Sequence, residues 1–510
     1  MRKWRGMALA CSLALGCGGP LPEEDVQEGE RSQASAPSEQ GEGELGAMWE
    51  RAEPGTARLV KDIFPPVLGP PWFGPFPESL TAFRGKLYFA ANFEDGRREL
   101  WKSDGTSVGT VPVKKFPPLS GFSFPNSLTE LTPRGSRLFF VVSDEEHGRE
   151  LWVSDGSTGG TRLVKDIAPG SADASPFNLK LVGDTLLFLR VVPATPSTPE
   201  RTELWKSDGT EAGTVRVKDL GPESSLIFSQ TIVGDTLFFV LSDPEHGSEL
   251  WKTDGTEAGT GLVRDIRPGA DSSFPFHLTA VGPYVFFTVT TETNGSELWR
   301  SDGTPAGTVR VETLSPGPES FNPRLLGPIG NCLYLTLSDP SDHRLRLYKL
   351  KVDEAGGVSR RLVSTLPNPF ADQPDSDPFI TTFTVAGRKL FFAMAISSSG
   401  PAPRDAQLWV TDGTGSGTRL LHQPLSLFDE FGTTLHTLDD RVLFSGADDT
   451  RGLELWVSDG TVAGTRLLQE LAPGGASSFP QAFTRVGTKL FFVANDAVHD
   501  GELWMLPLNR

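Results

Sequence analysis

The chain has 510 residues, among them 55 Gly and 41 Pro, and a formal net charge of -18 at pH 7. That charge excludes a nucleic-acid partner, since phosphate binding needs a basic surface. The length exceeds what one hydrophobic core serves, so the chain is either several domains or a repeat array whose units pack only on their neighbours.

The first twenty residues read as an export signal. Arg2, Lys3 and Arg5 form a basic start, and the apolar run from Met7 to Gly16 is too short to span a bilayer. The run ends in Leu13-Ala14-Leu15-Gly16-Cys17, which resembles the lipobox of bacterial lipoproteins. The resemblance implies that Cys17 becomes the lipidated first residue of the mature protein; Ala14 stands where Leu is more usual. The rival reading is an ordinary cleaved signal peptide with an incidental Cys. By that family's sorting rule, Gly18 implies the outer membrane, on its periplasmic or cell-surface side, with the lipid as the only membrane contact. Residues 18–50 are acidic and nearly free of aromatics, so they cannot bury enough apolar surface to offset their ordering entropy, and a disordered tether is expected. The division is therefore 1–17 signal, 18–50 tether and 51–510 repeat domain.

From residue 55 onward one pattern recurs. Its Trp falls at Trp101, Trp152, Trp205, Trp251, Trp299, Trp409, Trp456 and Trp504, with Tyr348 in the register between Trp299 and Trp409. An Asp-Gly-Thr or Asp-Gly-Ser turn follows, led by Asp104, Asp155, Asp208, Asp254, Asp302, Asp412 and Asp459, and a Gly-Thr pair closes it. A period near fifty residues means propeller blades or a solenoid. Each unit holds four short runs rich in β-branched and aromatic residues, bounded by Gly, Pro, Asn or Asp, which read as antiparallel strands. The second run, as in Leu138-Phe139-Phe140-Val141-Val142, is apolar at consecutive positions and so buried on both faces, as stacked blades require. The stretch Gly55 to Ile63 copies a fourth strand ahead of any Trp motif, while the last unit stops after its third. That arrangement closes a ring. We expect an all-β fold, one β-propeller of about nine four-stranded blades clasped by an N-terminal strand; eight blades plus one degenerate unit is the alternative.

The Glu-Leu-Trp-x-x-Asp-Gly-Thr pattern over residues 55–508 resembles the ELWxxDGT repeat family of bacterial surface proteins, common in myxobacteria and often labelled hyalin-like. The resemblance implies an exported or lipid-anchored, propeller-like repeat protein and carries no catalytic residues. Departures fall in the sixth unit, with Arg346-Leu347-Tyr348, and in the seventh, with Gln407 in place of Glu.

Candidate chemistry is sparse. Asp-Gly-Thr offers too few oxygens for calcium, which takes six to eight, and reads as a tight turn. The Glu two residues before each Trp shares its strand face, and Lys61, Lys165, Lys218 and Arg264 on fourth strands are expected to pair with it. His147, His246 and His499 occupy one repeated turn position, whereas His277, His343, His422 and His436 are scattered without metal spacing. Cys332 reads as a core thiol. The irregular stretches Phe64 to Phe76, Pro193 to Thr202, and Pro367 to Pro378 with Asp372, Asp375 and Asp377 are where specificity is expected. The functional expectation is a monomeric, non-enzymatic scaffold without cofactor, binding a protein or a surface polysaccharide. A polysaccharide hydrolase or lyase and a calcium-stabilised adhesin are the alternatives.

Overall fold

A computed structural model describes residues 53–64, 76–119, 127–291, 295–315, 323–339, 341–353, 356–369, 371, 376–396, 406–425, 435–448, 450–496 and 498–509. Cys17 and the tether lie outside them. The strands assemble into nine antiparallel sheets, one for each sequence unit, so the structure is a nine-bladed β-propeller with no degenerate blade. We number the blades by chain order, from the one carrying Trp101 to the one carrying Trp504.

In each blade the first strand is innermost. These inner strands, for example Phe276–Val281 in blade five and Arg324–Ile329 in blade six, touch one another around the central axis. The second strands carry the continuous burial expected of them; Arg137–Asp144 is buried at six consecutive positions. The hydrophobic core is divided into nine clusters, one between each pair of neighbouring blades. Within a blade the second-strand Phe lies against the third-strand Trp, as Phe89 on Trp101 at 6.1 Å and Phe188 on Trp205 at 6.3 Å between centroids.

Ring closure follows the sequence expectation. Strand Arg58–Lys61 pairs with the third strand of blade nine, Glu502–Asn509, and Glu53–Pro54 extends that pairing. Ala57 is also held by the amide of Gln469 in blade eight, donating to its Oε1 at 2.7 Å and accepting from its Nε2 at 3.0 Å.

The Asp-Gly-Thr segment closes a hydrogen-bond circuit. In blade one, Thr106 donates through its N–H and Oγ1 to Asp104 Oδ1, and Thr106 Oγ1 accepts from Gly109 N–H at 3.0 Å. Thr110 Oγ1 donates to Thr106 O, and Ser103 Oγ accepts from Gly105 N–H. Gly109 must stay Gly, because a Cβ there would overlap the Asp104 carboxylate. Basic side chains of a neighbouring blade then reach these turns. Lys61, Lys165, Lys218 and Arg264 donate to the carbonyls of Thr110, Thr214, Thr260 and Thr308. Their expected pairing with the motif Glu is thereby corrected: a Coulombic pair within the blade loses to a hydrogen bond that ties two blades together.

Candidate functional site

The repeated residues serve the scaffold. His147, His246 and His499 each place Nδ1 about 3.1 Å from an aspartate three residues earlier, Asp144, Asp243 or Asp496, whose carboxylate also accepts the histidine N–H. The Asp partner raises the pKa of His147 and of His499. Cys332 is only partly buried, at the edge of the core between blades six and seven. Of the irregular stretches, residues 65–75 and 372–375 lie outside the described residues. Asp377 pairs with His343 at 2.8 Å; Pro193 to Glu200 forms an exposed turn around the bridge Thr195–Thr198, and Arg201 and the buried Thr202 already belong to the strand Arg201–Ser207. Among the described residues no cluster of three or more His, Cys, Asp or Glu could hold a metal ion.

A cavity of about 350 Å³ opens where blades five, six and seven meet. Its wall is built from the starts of three inner strands, with Phe276 and His277, Pro323 and Arg324, and Pro378 to Ile380, backed by Thr288, Thr290, Thr336, Ser338 and Leu345. The local sequence explains how His277 gets there. The inner strand of blade five carries a bulge between Phe276 and Thr279, and His277 sits in it with φ +57°. Bulges re-aim side chains. The same bulge recurs with positive φ at Ser79, Glu130, Asn178 and Ala482, so the strained backbone belongs to the scaffold and the imidazole is what blade five adds.

The hydrogen bonds fix the state of that imidazole. Thr288 Oγ1 donates to Phe276 O at 3.3 Å and lies 3.3 Å from His277 Nδ1. A hydroxyl whose proton is committed to a carbonyl accepts from its other neighbour, so Nδ1 carries the ring proton and Nε2 keeps its lone pair. Burial, and after it the charge of Arg324, pushes the His277 pKa down to about 4, so the ring is neutral at physiological pH. Ser338 Oγ donates to Pro378 O, while the two terminal nitrogens of Arg324 donate to Ile380 O and Thr381 O. Little in the sequence marks this site: His277 is one scattered histidine, and Arg324 and Phe379 stand about fifty and a hundred residues away. The one signal was that the cavity borders blade six, the unit departing most from the repeat.

No family model and no curated relative matches the chain. The solved structures it resembles are propellers. Puromycin hydrolase is 16% identical at TM-score 0.35, covering 82% of this chain and 58% of its own. The β-propeller domain of the Trilobed protease from Pyrococcus furiosus is 10% identical at TM-score 0.31, with 65% and 92% covered. The polysaccharide lyase Uly1 is 11% identical at TM-score 0.32, with 66% and 90% covered. The chain spans 50% of the length of a puromycin hydrolase mutant and 59% of Pyrococcus horikoshii acylaminoacyl peptidase. This likeness is one of fold alone. The expectation of a non-enzymatic scaffold for a protein or polysaccharide is corrected: the similar solved structures are described as hydrolases, peptidases and a polysaccharide lyase.

Proposed function

We propose that the protein binds a compact small molecule in the cavity between blades five and seven, with neutral His277 accepting a hydrogen bond from it. The observation that carries this reading is the chain from Phe276 O through Thr288 Oγ1 to His277 Nδ1, which leaves Nε2 as a fixed acceptor in a cavity of ligand size. The same chain favours a second reading, in which the bound molecule is a substrate. Nε2 then takes a proton from a water adding to a carbonyl carbon of an ester or amide, the carbonyl re-forms as the C–O or C–N bond breaks, and the leaving group receives the proton. With a pKa of about 4, the rate is expected to be flat above pH 5 and to fall only as pH approaches 4. We further propose, from the Cys17 sequence and the repeat resemblance, that the propeller is exported and lipid-anchored.

The test is a thermal-shift screen of small esters, amides and glycosides, with chromatography for products. His277→Gln keeps an acceptor and removes the base. Retained binding with lost product formation supports the second reading; lost binding without turnover in the parent supports the first. A screen with hits that ignore both His277→Gln and His277→Ala sinks both.

A further inference from the structure

We infer that the ligand of this cavity is an organic monoanion, a carboxylic acid whose carboxylate meets Arg324 and Thr336 while its apolar body lies against Phe276 and Phe379. This deepens the small-ligand reading and rests on it. The first argument is a polar pair that the repeat does not require. On the second strand, the residue just beyond the one facing the motif aromatic is apolar in six blades: Ala90, Val141, Leu189, Val240, Ala393 and Val493. Blades five and six have Thr288 and Thr336 there, 2% and 1% exposed, and blade eight has Ser445. Thr288 donates to Phe276 O, whereas Thr336 lines the cavity with no side-chain hydrogen bond among the described residues. Directly across the ladder from Thr336 stands Arg324, at the register position that holds Glu78, Thr129, Phe177, Phe276 and Gln481 in blades one, two, three, five and nine. Directly opposed residues of an antiparallel pair share a face. Blade six thus adds a guanidinium and a hydroxyl, both donors, to one wall of the cavity.

The second argument is charge. Arg324 brings a full positive charge to the lining, and no lining residue is a carboxylate. The carbonyls of Ile380 and Thr381 hold its terminal nitrogens but are neutral, so the charge stays at the wall. It is felt at His277, where it adds to burial in lowering the pKa. A cation is repelled there and an anion attracted. One guanidinium balances one negative charge, and a dianion would bring a second into a protein that already carries -18. The two oxygens of a carboxylate suit guanidinium N–H groups and a threonine O–H together. The third argument is the rim. Phe276 and Phe379 line the cavity and are 43% and 44% exposed, and Phe274 lies nearly parallel to Phe276 with ring centroids 6.4 Å apart. Exposed apolar surface gathered at one cavity mouth marks a binding face, which suits an organic acid and gives a bare inorganic anion nothing to cover. His277 Nε2 is left to accept from an O–H or N–H beside the carboxylate.

The experiment is titration calorimetry on the full chain. The probes are phenyllactate and N-acetylphenylalanine, each against its own primary amide, with inorganic phosphate as a fifth. At least one acid should bind at least tenfold more tightly than its amide. Thr336→Val removes a hydroxyl and no contact of the scaffold; it should weaken the acid about fivefold and leave the amide unchanged. Arg324→Gln should bring acid and amide within about twofold of each other. Should that variant melt early because blade six has lost its hold on blade seven, Thr336→Val still carries the test. An amide that binds as tightly as its acid and depends on His277 overturns the anion but leaves the cavity reading standing. Acid binding that ignores both Thr336→Val and His277→Ala lies elsewhere and overturns both readings. Phosphate binding as tightly as the acids overturns the carboxylate, and so does a failure of both acids to bind.

Discussion

Blades three and four share one motif and use its glutamate in opposite ways. In blade three, Glu203 accepts from the indole N–H of Trp205 at 2.9 Å and from Arg216 at 3.0 Å. In blade four, Glu249 turns to the chain leaving the blade, accepting from the N–H groups of Ile266, Arg267 and Ser273 and from Ser273 Oγ, while Trp251 Nε1 has no partner among the described residues. The outer strand decides which. Opposite Trp205 stands Arg216, whose charge holds the carboxylate over the indole; opposite Trp251 stands Leu262, and without a cation the carboxylate is better solvated by backbone N–H groups. Blade five follows blade three, with Glu297, Trp299 and Arg310. Blade one does so with Lys115 as the cation, 3.3 Å from Glu99. Blade seven needs no cation because Gln407 is uncharged. Blades two, eight and nine follow blade four, each with Leu opposite its Trp. Blade six does neither; Arg346 replaces the acid and pairs with Asp339 and Asp342. A cation on the outer strand, Arg216, Arg310 or Lys115, thus keeps a motif Glu within the sheet, and where Leu stands opposite the Trp a motif Glu goes to the segment leading to the next blade.

The sharpest way to break this comparison is to remove the acid from each class. Glu249→Ala leaves the N–H groups of Ile266 and Arg267 without their acceptor, Ser273 keeping Ser248 O, and should cost about 3–5 kcal/mol in denaturant unfolding. Glu203→Ala frees one indole and a half-exposed arginine, and should cost about 1–2 kcal/mol. Equal losses would dissolve the distinction. Next comes pH. Burial, opposed by the N–H groups of Ala168 and Ile167, raises the Glu150 pKa from 4.5 to about 8. The folded state then holds a proton that the unfolded state releases, so this group's contribution is fully present below pH 4.5 and is lost as pH rises through 8. Glu150→Gln, which copies Gln407, should flatten that slope and gain stability on the order of a few kcal/mol above pH 8; an unchanged profile from pH 4 to 9 would refute it.

Two smaller substitutions sharpen the comparison. Arg216→Leu places the blade-four residue in blade three; it should lower stability by about 1 kcal/mol and move the Trp205 indole proton resonance as its acceptor leaves. An unmoved resonance would show that Arg216 does not hold Glu203. Ala174 stands where blade four has Ser273 and blade eight has Ser478, both of which donate to the motif Glu. Glu150 Oε2 correspondingly has no partner among the described residues. Ala174→Ser should supply one and add about 1 kcal/mol at pH 9, and a loss instead would show that blade two has no room for the hydroxyl.

The ring was legible because its determinants are local and copied: each Trp, each Asp-Gly-Thr turn and each apolar second strand repeats within one unit. The clasp was legible because Gly55 to Ile63 is a copy out of place. The two classes of blade were present as Arg216 against Leu262, but their meaning needed the strand register, since two residues that face each other across a hairpin stand eleven apart in the chain. The cavity was not legible. His277, Arg324 and Phe379 come from three units, share no motif, and meet only because the inner strands converge on one axis. The expected pairing of Lys165 with a motif Glu failed for a related reason: its partner, Thr214 O, lies in the next blade.

The clasp also sets how the molecule would bear a mechanical load. Under the lipid anchor proposed at Cys17, a pull on the propeller enters at Glu53, whose pairing with Asn509 is the outermost rung of the closing ladder. An antiparallel pair loaded from one end peels rung by rung, so tension would open the ring at blade nine through Pro54 and Gly55, and would meet blade eight at Ala57 before it reached Arg58. The two contacts between Ala57 and Gln469 in blade eight lie inside that path and act as its catch.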